Sequence, residues 1–200
     1  MAMGVVQPPL PVNLPLLRLA RRPRRLDHEC LEDDEAVSVS VHQRLRRPVI
    51  HQPIVMALAQ TLLHHVTEPT AELNVEFVGS RRMRRLNREY RGVDAPTDVL
   101  AFAFREAPGP VTPLLGDVVI AWPMVLRQAQ AFNHSVEDEV MRLLIHGTLH
   151  LVGYDHERGA REARRMRRAE ERLWRALRPF PPFVVQQERP SRQSKPARRD

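Results

Sequence analysis

The amino-acid sequence predicts an α+β fold, a small mixed four-stranded sheet packed with helices, and three observations carry that prediction. Apolar residues alternate with polar ones in several short runs, they recur at three- and four-residue intervals in longer ones, and the two kinds of run interleave. The resulting order is strand, helix, strand, helix, two strands, then three helices. Two hundred residues suffice for one core of ordinary size and fall short of what two domains usually need. A single domain over residues 37–178 is therefore expected, with a disordered extension at 1–36 and a disordered basic tail at 179–200.

The first strand follows from Val37, Val39 and Val41 alternating with Ser38 and Ser40. From Pro53, the residues Ile54, Leu58, Leu62 and Leu63 fall at helical spacing, and Leu73, Val75 and Phe77 then restore the period of two. Ser80 is a suitable cap for a short basic helix to about Tyr90, which Arg91-Gly92, Asp94 and Pro96 break into a loop. Asp98 to Phe104 and Leu115 to Ala121 read as a hairpin-like pair of strands, joined across Pro108, Gly109, Pro110 and Pro113. Pro123 opens a helix to about Phe132. Ser135, with Asp138 three residues on, signals the start of the next helix, lined by Val136, Val140, Leu143, Leu144 and Leu151. The last helix, about Glu157 to Leu177, places Ala163, Met166, Glu170, Leu173, Trp174 and Leu177 near one stripe, where only Glu170 is out of character.

Composition narrows the class of partner. Hydrophobic residues make up 42% and charged residues 28% of the chain, without an apolar run long enough to span a bilayer, so no membrane role is expected. The segment from Met1 to Leu26 has its apolar stretch before its arginines, an order opposite to that of a secretory signal. A single cysteine, Cys30, excludes an internal disulfide and a cysteine-based metal site, which fits a cytoplasmic location. The net charge of +7 favours polyanionic partners, although Lys195 is the only lysine and an arginine bias of that kind also arises from genome composition.

The chemistry concentrates in Ile145-His146-Gly147-Thr148-Leu149-His150-Leu151-Val152-Gly153-Tyr154-Asp155-His156. His146 and His150 are four residues apart, so on a helix they stand on one face roughly 6 Å apart and can share one ion at about 2.0–2.1 Å. Gly153 offers a left-handed stop from which the chain can turn back and deliver His156. Three imidazoles leave a fourth coordination position for water, the arrangement of a catalytic zinc site. The ligand spacing also matches metzincin proteases, but those carry a glutamate base directly after the first histidine, and here Gly147 stands in that place. Asp155 is placed to orient a ligand from the second rank or simply to close a turn. Asp117 reads equally as a buried carboxylate behind the ligands or as the cap of a turn, Asp98 reads as the start of its strand, and both are left outside the site.

With these motifs in view, the chain resembles the YbeY family of single-strand-specific endoribonucleases and ribosomal RNA maturation factors. The similarity rests on His146 to His156, on Leu86-Asn87-Arg88-Glu89-Tyr90-Arg91-Gly92 followed by Asp94, Pro96 to Leu100 and Phe102, and on Leu115 to Ile120. It covers roughly Val37 to Leu177 and departs at Ala101, where the family usually has serine. The resemblance implies one zinc ion on His146, His150 and His156, with Arg91 as the functional arginine facing the same cleft. It also implies single-stranded ribosomal RNA precursor as substrate, processing of the 16S rRNA 3′ end, a part in ribosome quality control, and small-subunit proteins as partners. A guanidinium suits that role because its planar fork matches phosphate oxygens. Arg85 and Arg88 lead into Arg91 and are candidate RNA contacts. The arginines of the last helix could track a phosphate backbone or form a solvated face. The residues do not choose between attack by water and by the RNA 2′-hydroxyl. A non-catalytic ribosome-assembly factor, in which zinc only fixes the helix end and the basic surface binds rRNA, is the alternative.

Overall fold

The computed structural model describes residues 38–46, 49–67, 71–104 and 113–185. The expected N-terminal extension lies outside the described residues, as do Val37, the centre of the proline-rich loop at 105–112 and the chain beyond residue 185.

Four strands, β1 (Ser38–Arg44), β2 (Glu72–Val78), β3 (Val99–Ala103) and β4 (Leu114–Ala121), form one sheet in the order β1-β2-β4-β3. β1, β2 and β4 run parallel, and β3 pairs antiparallel with β4, so the sheet is mixed as expected. The helices are α1 (Gln52–Val66), α2 (Ser80–Arg91), α3 (Trp122–Ala131), α4 (Val136–Leu151) and α5 (Ala160–Leu177). The alternation seen in sequence separates two faces. Val75, Phe77, Val99, Ala101, Val118 and Ile120 pack into the main core with Met141, Leu144 and Ile145 of α4. Leu100, Val119 and Ala121 point the other way and bury Met83 of α2, beside Leu86 and Tyr90.

α4 starts where its sequence says it should, the Ser135 hydroxyl accepting from the Asp138 backbone N–H at 3.0 Å. The Asp138 carboxylate is bound by Arg178 at 2.7 Å. Three expectations need correction. Ser80 is the first residue of α2 and not its cap; Gly79 occupies the cap position, without a side-chain bond. The last helix does not begin at Glu157, because Gly159 has φ +125°, a conformation incompatible with a continuous helix. A 3-10 turn at His156–Arg158 precedes it and α5 starts at Ala160. Order does not end at Pro179 either. Phe183 is fully buried, the His51 backbone N–H donates to its carbonyl at 2.8 Å, and Val184 bridges to Ile50. The proline-rich composition of this segment conceals two phenylalanines and a valine, Phe180, Phe183 and Val184, that pack in or against the core, a long-range partnership invisible to local periodicity.

Candidate metal centre

α4 carries His146 and His150 on adjacent turns, and the helix must approach the sheet closely to place them. Gly147 makes that approach possible: a Cβ there would stand 2.9 Å from a methyl of Val118 and 3.4 Å from Val99. The same contact explains why the position after the first histidine holds no glutamate, since the neighbouring strands leave no volume for one. Gly153, at φ +86°, then ends the helix, its N–H donating to the His150 carbonyl at 3.0 Å. The chain reverses into the 3-10 turn and returns His156 to the other two imidazoles.

His146, His150 and His156 offer ligand nitrogens that all lie within 4.8 Å of one another. The ring centroids are 4.6 Å apart for His146 and His150, 5.3 Å for His146 and His156, and 5.2 Å for His150 and His156. Nε2 of His146 faces Nε2 of His150 at 3.0 Å. Two nitrogens ligating one tetrahedral ion at ordinary bond lengths sit about 3.3 Å apart, so the pair is set near the required spacing. His156 Nδ1 and His150 Nδ1 are both buried without a hydrogen-bond partner among the described residues. Burial first, then the neighbouring His146 and His156, push the His150 imidazole down to about 4, which keeps it neutral at pH 7 and ready to coordinate. This donor set fits a metal ion.

One residue that sequence reasoning did not assign completes the centre. Glu170 of α5 accepts from Nδ1 of His146 at 2.7 Å, which fixes the ring and leaves Nε2 as the lone-pair nitrogen. The available signal was its position as the only acidic residue on the apolar stripe of α5. Asp155, considered for the same part, works through the backbone instead. Its two carboxylate oxygens are taken by the Glu157 N–H at 2.9 Å and the Arg158 guanidinium at 3.1 Å, so it caps the turn that carries His156. Behind His146 and Glu170 opens a cavity of about 750 Å3 that also touches Asp98, His134, Glu139 and Trp174. Asp98 is buried there and accepts from the Val99 N–H at 2.9 Å and from Gln128 at 2.8 Å, a larger structural part than starting a strand. Burial pushes the Glu139 carboxyl up.

The candidate arginines come from another layer. Arg85, Arg88 and Arg91 belong to α2, on the sheet face opposite α4. Arg85 and Arg88 are exposed, and Arg88 lies 3.7 Å from Asp94, whose carboxylate is chelated by Arg84 at 2.8 and 2.6 Å. Arg91 is the half-buried last residue of α2, directly before the left-handed Gly92. Asp117 also faces this side, where its carboxylate accepts from Asn74 at 2.9 Å.

Comparison with known proteins agrees with this geometry. The family model described as Endoribonuclease YbeY matches residues 37–178. Curated proteins named Endoribonuclease YbeY include one from Persephonella marina, 34% identical over 71% of this chain and 94% of its own length. Another, from Roseiflexus castenholzii, is 44% identical over 60% of this chain and 79% of its own. A third, from an Anaeromyxobacter species, is 55% identical over 53% of this chain, and the match spans 54% of that relative. Among solved structures, the solution structure of TM1509 from Thermotoga maritima superposes with a TM-score of 0.50 at 25% identity, over 70% of this chain and 88% of that one. A metal-ready histidine triad, its glutamate orienter and a family match over residues 37–178 agree: the chain belongs to the endoribonuclease YbeY family.

Proposed function

We propose that this chain is a zinc-dependent endoribonuclease that cleaves single-stranded RNA in the cytoplasm, acting in maturation of the 16S rRNA 3′ end and in ribosome quality control. The observation that carries the reading is the convergence of three imidazoles with Glu170 behind one of them. Three imidazole donors without cysteine suit one zinc ion and leave a coordination position for a reacting group. When bound, the ion supplies Lewis acidity toward a phosphoryl oxygen or a water molecule. The chain's own residues do the rest. Glu170 holds the His146 ring in one tautomer, burial keeps His150 unprotonated, and the Asp155 cap fixes the turn bearing His156. Arg91 is the proposed phosphate ligand, its guanidinium stabilising charge that develops on the scissile group, with Arg85 and Arg88 contacting the RNA backbone. Small-subunit ribosomal proteins are the proposed partners.

The test is cleavage of an end-labelled single-stranded RNA by the wild-type chain and by His150→Ala, purified identically and assayed for bound metal. Zinc in the wild type, with cleavage that disappears in the variant, is the expected result, and Arg91→Ala should then retain zinc while losing activity. Equal cleavage by both proteins, or none by either, would overturn the reading in favour of a non-catalytic assembly factor. Products ending in 2′,3′-cyclic phosphate would assign the attack to the RNA's own hydroxyl.

A further inference from the structure

α5 carries seven arginines and three glutamates, and the structure sorts them into two groups. All three carboxylates are engaged: Glu162 with Arg165 at 3.2 Å, Glu171 with Arg175 at 3.7 Å, and Glu170 with His146 at 2.7 Å. Arg161, Arg164, Arg168 and Arg172 are exposed, and none has an ion pair or hydrogen bond among the described residues. They recur every three or four residues and so lie along one side of the helix, in a strip roughly 16 Å long. Like charges at that spacing oppose helix formation, and the neighbouring Glu162 and Glu171 pair with Arg165 and Arg175 instead of with these four.

These four guanidinium groups line an open groove of about 460 Å3 together with Arg165 and Tyr154. Its lining includes Tyr154, whose ring centroid lies 4.6 Å from the Arg165 guanidinium, and the buried Ala169. The groove shares no lining residue with the cavity behind His146 and Glu170, which opens on another side of α5.

We propose that this groove is a track for the RNA backbone, binding successive phosphates of a single strand along the side of α5 that faces away from Glu170. The proposal rests on the ribonuclease reading for the identity of the polymer. Its chemistry is that of planar guanidinium forks on phosphodiester oxygens, and its strength comes from counterion release. It assigns to α5 a part distinct from that of α2, which packs on the opposite face of the sheet.

The experiment measures binding of a fluorescent 2′-O-methyl oligoribonucleotide at a series of KCl concentrations. That probe keeps the phosphates and lacks the free hydroxyl, so a catalytically dead protein reports on the track as well as an active one. Three proteins are compared with wild type: R161Q/R164Q/R168Q, the same positions changed to lysine, and a charge-matched control, R46Q/R127Q/R175Q, at exposed arginines outside the groove. Helicity and metal content are checked in each. The expected result is a plot of log K against log[KCl] whose slope shrinks by about 2 in the glutamine triple, at about 0.7 for each phosphate that the protein no longer neutralises. Its affinity should fall at least tenfold near 0.1 M KCl, while the lysine triple and the control keep most of the wild-type slope. A glutamine triple indistinguishable from the control overturns the proposal, and so does a lysine triple whose slope shrinks as much as that of the glutamine triple. Failure of the wild type to cleave RNA, with the slope behaving as expected, would sink the ribonuclease reading and leave the RNA track standing.

Discussion

Glu170 and His146 meet across two helices at 2.7 Å, and among the described residues the carboxylate is the only side-chain acceptor on that ring nitrogen. Replacing it by glutamine leaves an acceptor of similar shape but removes the charge that favours the Nδ1–H tautomer and raises the basicity of Nε2. Loss of such an orienting carboxylate costs a metal site roughly 10- to 100-fold in affinity. Glu170→Gln is expected to weaken metal binding by that factor in chelator competition, with the far-ultraviolet spectrum unchanged; wild-type affinity would show that the carboxylate does not orient the ligand. The triad itself was legible because four-residue spacing and a glycine stop are local facts of His146, His150 and Gly153. Glu170 was legible only as an anomaly, an acid on an apolar stripe, because nothing local joins it to a histidine on another helix.

The packing of α4 on the sheet depends on a missing side chain. An added methyl at Gly147 would collide with Val118, which is held between neighbouring strands and cannot retreat. Gly147→Ala should therefore lower the unfolding free energy by about 1–3 kcal/mol in urea denaturation, the usual range for overpacking. Metal affinity should fall with it, since the helix that shifts carries two ligands. Across the sheet's other face a polar row runs from Ser40 through Asn74 to Asp117, one residue from each of β1, β2 and β4. Burial, opposed by the Asn74 bond, pushes the Asp117 carboxyl up. A raised carboxyl favours the folded state at pH below its unfolded value near 4, and that contribution is lost as pH rises through the folded value. Asp117→Asn keeps an acceptor for Asn74 without the titration, so the variant should gain on the wild type between pH 4 and pH 7. A stability difference that is the same at both pH values would show that Asp117 titrates as in the unfolded chain. Such elements were readable wherever one face is buried, because alternation and the Ser135 cap leave a periodic mark. The start of α5 was not, since a single glycine at φ +125° interrupts a run that is otherwise helical in composition.

At the scale of the whole molecule, the segment after α5 closes the structure. Arg178 binds Asp138 at the start of α4, Val184 donates its N–H to Glu137 at 3.2 Å, and the Val185 N–H reaches the Val49 carbonyl at 2.8 Å. The strap therefore ties the end of α5 to the beginning of α4 and to the approach to α1, joining the two helices that supply Glu170 and the first two histidines. Phe183 is its anchor, fully buried in the core, with Phe180 packed between it and Trp174 at ring distances of 6.2 and 6.0 Å. Composition hid this, because three prolines in four residues suggest a tail, and the partners of Phe183 and Val184 lie more than a hundred residues earlier in the chain. Removing a buried phenylalanine side chain costs about 3–5 kcal/mol when the site cannot collapse. Phe183→Ala should lose that much in urea denaturation, and its Trp174 emission should shift to the red as Phe180 loosens. Metal affinity should fall as well, because α4 and α5 are no longer held in register at their outer ends. Unchanged stability with unchanged emission would mean that the strap rests on α5 without anchoring it, and that the registration of Glu170 on His146 comes from the interface between α4 and α5 alone.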